Sequence, residues 1–251
     1  MVYNLFNRQN TQALMNTMRS FFFILFLLCI GITTKAQQNS DTGKLTVLKT
    51  ADFEVDGKAT NTNWAKTNWV SLPQRRKDGK VYATDAKVLY SDSGVYFLFH
   101  CQDSLITSTM KEDFANLYLE DVVEVFLWTD ESMPIYFEYE LSPYNYELPI
   151  LVPNMKGTFL GWRPWHYEGD RKTRHAAYIE TKNNAIVGWN AEFFIPYTLL
   201  KPLNNVPPKK GTQWRANMYR IDYDKKSSAW SWQLTRTNFH DFEKFGTFIF
   251  D

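Results

Sequence analysis

From Lys44 onward the chain is a succession of short runs rich in Val, Tyr, Phe and Trp, each broken by turn residues. Runs of that length and composition, bounded by Gly, Asn, Asp and Ser, are the strands of an all-β sandwich. The clearest hairpin joins Ala86–Tyr90 to Val95–Cys101 across Ser91-Asp92-Ser93-Gly94. A second joins Val122–Trp128 to Ile135–Ser142. Side chains alternate across a strand, so Val122, Glu124 and Phe126 share one face of the first run. Tyr136, Glu138 and Glu140 share one face of the second, opposite Ile135, Phe137, Tyr139 and Leu141. One side reads as core. The other sets acidic groups among aromatics, as an open ligand-binding face would.

The remaining runs complete a single β-sandwich over residues 44–251. Lys44–Lys49 is the expected first strand, and Asp56-Gly57 turns the chain ahead of Trp64 and Trp69. Tyr178–Thr181 and Val187–Ile195 form a hairpin around Asn183-Asn184, and Pro196–Leu200 makes one helical turn. Trp214–Asp222, Trp230–Leu234 and Phe245–Phe250 close the domain. Trp64, Trp69, Trp189, Trp214 and Trp232 stand in or beside these strands and are read as core. Residues 143–176 are Pro- and Trp-rich and weakly periodic, and are read as a long loop, which inside a compact domain usually carries function.

Ahead of the domain, Arg19 precedes the apolar run at 21–34, and Thr34-Lys35-Ala36 offers small residues to a peptidase. Residues 1–36 therefore read as a signal peptide, starting at Met1, Met15 or Met18, followed by a polar linker at 37–43. The run is short for a membrane span, and no second one follows. Cys29 lacks the small preceding residues of a lipoprotein signal. The product is expected to be soluble, secreted or periplasmic. Cleavage leaves about 215 of the 251 residues, within the range of one all-β domain. Cys101 alone remains, so no internal disulfide forms, and its place at the end of an apolar strand predicts burial. A net charge of +1 gives no basic excess for nucleic acid or an anionic membrane.

Several segments, taken in order, resemble the family 9 carbohydrate-binding modules. Phe53-Glu54-Val55-Asp56-Gly57 followed by Trp64 is similar to that family's opening, an Asp-Gly turn ahead of a Trp. Asp121-Val122-Val123-Glu124-Val125-Phe126-Leu127 resembles its D-x-V-E-V-F strand, and Gly188-Trp189-Asn190-Ala191-Glu192-Phe193-Phe194-Ile195-Pro196 its G-W-x-x-E-x-x-I-P strand. Trp214-Arg215-Ala216-Asn217, then Asn238-Phe239-His240 with Phe245-Gly246, complete the order. The resemblance implies a jelly-roll or immunoglobulin-like sandwich of two antiparallel sheets that binds carbohydrate without altering it. It further implies a terminal sugar held between two aromatic rings, at Tyr118 and Phe239, with Glu124 gripping hydroxyls. The family's rings are Trp where Tyr and Phe stand here, and a family arginine aligns with Glu138.

Sugars stack their C–H faces on rings and need donors and acceptors for their hydroxyls. Tyr118 and Phe239 suit the first task. Glu124, Glu138, Arg236, His240 and Asp241 suit the second. Trp162 and Trp165 either wall the cleft or cover a sheet edge. Two other functions compete: a glycosidase using a pair among Glu124, Glu138 and Glu140, and an interaction module that has lost sugar binding. Hydrolysis needs carboxyls about 5–5.5 Å apart for retention or about 6.5–9.5 Å for inversion. A nucleophile elbow, a zincin motif and a P-loop are absent from the sequence. No cofactor is expected beyond a structural calcium, for which Asp222 and Asp224 are the candidates. Catalysis on a bound polysaccharide would fall to a separate glycoside hydrolase.

Overall fold

The structure, a computed structural model, describes residues 43–76, 81–155, 158–224 and 226–251. The expected signal peptide at 1–36 and residues 37–42 of the linker lie outside the described residues. The first strands in chain order are β1 (Lys44–Lys49), β2 (Val70–Ser71), β3 (Gln74–Arg76), β4 (Thr84–Tyr90) and β5 (Gly94–Gln102). They are followed by β6 (Val122–Trp128), β7 (Ile135–Leu141), β8 (Glu147–Met155), β9 (Thr158–Phe159) and β10 (Arg163–Pro164). Next come β11 (Arg174–Lys182), β12 (Ala185–Pro196) and the one-turn helix α1 (Tyr197–Leu200). The chain closes with β13 (Gln213–Asp222), β14 (Ser228–Ser231) and β15 (Gly246–Phe250).

Two sheets result. The first runs β10-β8-β7-β6-β13-β15-β1 and the second β1-β4-β5-β12-β11. β1 belongs to both: Lys44–Val47 pairs with β15, and Leu48-Lys49 with β4. Both of these pairings are parallel, whereas the other ladders are antiparallel. Alternation then fills the space between the sheets. Val123, Val125, Phe137, Tyr139 and Met218 of the first sheet meet Val88, Phe97, Phe99, Trp189 and Phe193 of the second. Burying such side chains is worth about 1.5–3 kcal/mol each before entropy is counted. Cys101 joins this core, as its strand predicts.

Local chemistry explains the turns. Asn183 and Asn184 both take left-handed backbone, φ 52° and 61°, as a two-residue hairpin turn requires. Gly188 passes so close to β5 that a Cβ there would lie 2.6 Å from the Cys101 carbonyl oxygen. Among the described residues no helix is long and apolar enough to cross a membrane.

Two expectations change. The long loop at 143–176 contains β8, which pairs with β7 from Ile135↔Pro153 to Leu141↔Glu147. Pro149 and Pro153 hid it, but β8 has only the two-residue β9 and β10 on its other side, where a missing N–H is tolerated. Trp69 is not core: it is 44% exposed and sits beneath the Lys87 ammonium, 4.9 Å from its ring centre. Its run is too short to carry it inside, whereas Trp64, Trp189, Trp214 and Trp232 are buried.

Candidate functional site

The outer face of the first sheet carries a cleft of ≈ 770 Å³. Its floor is Glu124 on β6 with Glu138 and Glu140 on β7, side by side because Glu124 pairs directly with Glu140 and Phe126 with Glu138. The alternation read from sequence therefore holds, but this face is not open. Glu124, Glu138 and Glu140 are 2%, 3% and 0% exposed, for loops close over them. Tyr118 comes from one loop, Phe159 and Trp162 from a second, and Leu234 to His240 from a third. Of the three carboxyls lining the cleft, Glu140 is the most fully buried.

Of the nine predicted contact residues, Asp241 instead accepts the Arg236 backbone N–H at 3.0 Å, and Tyr118, Glu124, Glu138, Trp162, Arg236, Phe239 and His240 line this cleft. Trp165 does not. Its indole N–H donates to the Leu199 carbonyl at 3.1 Å, and its ring packs edge-on against Tyr167 and onto the inter-sheet core. Trp162 and Trp165 are three residues apart on a nearly extended segment, so they point to different sides. Arg75, Phe159, Tyr223 and Ser231 also line the cleft and were not anticipated. Arg75 and Ser231 meet only because β3 pairs with β14, a contact no local pattern announces.

The walls are held rigidly. Phe239 stacks face to face on Tyr219 at 4.0 Å, and the Tyr219 hydroxyl donates to the Phe239 carbonyl at 2.9 Å. His240 stacks on Phe159 at 4.2 Å. Burial pushes the His240 imidazole down to about 4, so it is neutral near pH 7, and its Nδ1 shares a hydrogen bond of 2.6 Å with the Tyr136 hydroxyl.

The floor is electrostatically unusual. Burial raises Glu124 to about 8. Burial, then the neighbouring carboxylates, raise Glu138 and Glu140 well above the ordinary range. Oε2 of Glu138 and both oxygens of Glu140 are buried without a hydrogen bond of normal geometry, although the two carboxyls interact with each other and the Tyr118 backbone N–H approaches Glu140. The nearest basic group to Glu138 is the neutral His240, with Nδ1 3.8 Å away. Buried oxygens without partners are rare and costly.

The two calcium candidates, Asp222 and Asp224, stand in a separate cluster with Asp103. The donor set does not fit calcium, since of its three carboxylates only Asp224 has a buried oxygen, Oδ1, without a partner. The buried Arg220 guanidinium already takes Asp103 and Asp222, each at 2.8 Å. The second oxygen of Asp103 accepts the Ser104 and Leu105 N–H groups, and that of Asp222 accepts the Asp224 N–H. Calcium needs six to eight oxygens and would meet a fixed positive charge here.

Residues 55–251 match the family described as carbohydrate family 9 binding domain-like. The chain belongs to this family. No protein of curated function matches its sequence. Among solved structures, a candidate carbohydrate-binding protein from Bacteroides uniformis superposes with a TM-score of 0.69 at 14% identity, over 83% of this chain and 99% of the other. A family 9 carbohydrate-binding module from Caldicellulosiruptor kristjanssonii, solved with cellotriose, gives 0.59 at 15% identity over 83% and 93%. The same organism's module with glucose gives 0.60 at 15% identity over 83% and 95%. At such identities the likeness shows the shared β-sandwich fold alone.

Proposed function

We propose that this family 9 domain binds a glycan or its terminal sugar in the cleft above Glu124 and Glu138, without cleaving it. The observation that carries this reading is the pairing of aromatic walls with unpartnered carboxyl oxygens beneath them. Tyr118, Trp162 and Phe239 offer faces for sugar C–H groups, while Glu124, Glu138, Arg236 and His240 offer donors and acceptors for hydroxyls. The solved family 9 modules with glucose and cellotriose support the same ligand class. Hydrolysis is less well served. A glycosidase needs two carboxyls whose pKa values are driven apart, one acid and one base. Here all three move in the same direction.

The signal-like segment at 1–36 supports export to the periplasm or beyond, where such a module would hold polysaccharide for a separate glycoside hydrolase. Calorimetric titration with glucose, xylose, cellobiose and xylan fragments tests the binding, with chromatography of the mixture to detect products. Saturable heat with intact sugar is the expected result. Released products would replace this reading with a hydrolase, and silence across the series would leave an interaction module.

A further inference from the structure

The cleft floor gathers acceptors and no fixed positive charge. Among the described residues no lysine or arginine forms an ion pair with Glu124, Glu138 or Glu140. The titratable groups that press on them are Tyr118, Tyr136, Tyr219 and His240. All four are neutral near pH 7: burial raises the three phenols and lowers His240 to about 4. The cleft's two arginines stand on its walls. The Arg75 guanidinium donates to Ser231 Oγ and to the Ser231 and Trp232 carbonyls, and Arg236 lies on an exposed stretch of loop.

A neutral hydroxyl both donates and accepts, whereas an ammonium only donates. A floor of three carboxyls with no lysine or arginine paired to them, Glu138 Oε2 among them buried without a hydrogen bond of normal geometry, is a closer match to the second. From these positions we infer that the cleft selects sugars carrying a free amino group, such as glucosamine and its oligomers, over their neutral counterparts. The inference rests on the carbohydrate-binding reading of the same cleft and narrows its ligand class. On binding, the ammonium sits over Glu124 and Glu138 while the pyranose face lies on the aromatic wall. Glu124 gives up its proton to solvent and pairs as the carboxylate. Charge-assisted hydrogen bonds are about twice as strong as neutral ones, so a preference on the order of ten-fold follows.

The test is a set of calorimetric titrations of the protein with glucosamine, glucose, N-acetylglucosamine and glucuronic acid, each in two buffers of different ionisation heat. We expect glucosamine to bind about ten-fold more tightly than glucose, with buffer-dependent heat reporting a released proton, and with neither effect for the other three sugars. Glu124→Gln, checked for folding by its melting curve, should bring the ratio of glucosamine to glucose affinity to about one and abolish the proton release, whatever it does to glucose affinity itself. Glucose binding that equals glucosamine binding, with no proton released, would overturn the inference and leave carbohydrate binding standing. Tighter binding of glucuronic acid would also overturn it, by showing that the wall arginines dominate. Silence with every sugar would remove both readings together.

Discussion

Trp64 donates its indole N–H to Glu192 Oε1 at 2.7 Å, across 128 positions of sequence. The other oxygen of the same carboxylate accepts the backbone N–H groups of Asp56 and Gly57, at 3.0 and 2.9 Å. Two of the segments that resemble the family, the Asp-Gly…Trp opening and the G-W-x-x-E strand, are thus halves of one buried hydrogen-bond unit. Gly57 is required there: its φ is +73°, and a Cβ would come within 3.1 Å of the Ala176 backbone. Glu192→Ala leaves three donors without an acceptor, and we expect a loss of about 2–4 kcal/mol in chemical denaturation. Trp64→Phe, which removes one donor, should cost less. Equal losses in the two variants would show that packing of the indole, and not this hydrogen-bond unit, holds the opening segment down.

The aromatic walls should divide by role. Tyr118→Ala and Trp162→Ala are each expected to weaken sugar binding by about 1–3 kcal/mol with little effect on melting. Phe239→Ala should weaken binding and also lower stability, since its ring is stacked on Tyr219. Trp165→Ala should lower stability and leave affinity intact, because Trp165 faces Leu199 and Tyr167 outside the cleft. Titration calorimetry paired with melting curves on the four variants separates the two effects. A loss of affinity in Trp165→Ala alone would relocate the site.

The buried carboxyls make stability fall toward alkaline pH. Glu124 moves from an ordinary 4.5 to about 8, so between those values the folded protein holds a proton that the unfolded chain has released. Stability contributed in this way is present below about pH 4.5 and is lost as pH rises toward 8. Glu138 and Glu140, shifted in the same direction, steepen the loss. His240 acts oppositely on the acid side. Its pKa drops from 6.5 to about 4, so its contribution appears as pH rises through that interval. Glu140→Gln is expected to gain about 1–3 kcal/mol near pH 8 and nothing at acid pH, read from urea unfolding across pH. A gain that is the same at every pH would mean that Gln packs better, not that a charge was removed.

Arg220 holds together the cluster in which the two calcium candidates, Asp222 and Asp224, stand. Its guanidinium has no exposed surface, bonds Asp103 and Asp222, and lies over the Trp230 ring at 4.5 Å. Arg220→Met strands two buried carboxylates and should cost about 3–5 kcal/mol. Calcium and a chelator should each leave the melting temperature of the unaltered protein where it was. A chelator-induced drop of several degrees would restore the calcium assignment.

Much of this was legible along the chain, for a physical reason. Alternation is local, so the sequence alone already placed Val122, Glu124 and Phe126 on one face and Glu138 with Glu140 on the matching face of the next strand. Paired Asn residues and Gly marked turns because they adopt left-handed backbone most readily. Seven of the predicted contact residues meet in one cleft because the two central strands set the floor and their neighbouring loops cannot travel far. What local pattern cannot express is whether a face is covered, and by what. The loops of Tyr118, Trp162 and Phe239 fold over the glutamates from three distant stretches, which makes buried, proton-holding acids of side chains that alternation alone would place in water. Trp69 and Trp165 took their places by the same rule, as did the proline-bearing β8: burial is decided by neighbours far off in sequence, and a carboxyl's charge follows from its burial.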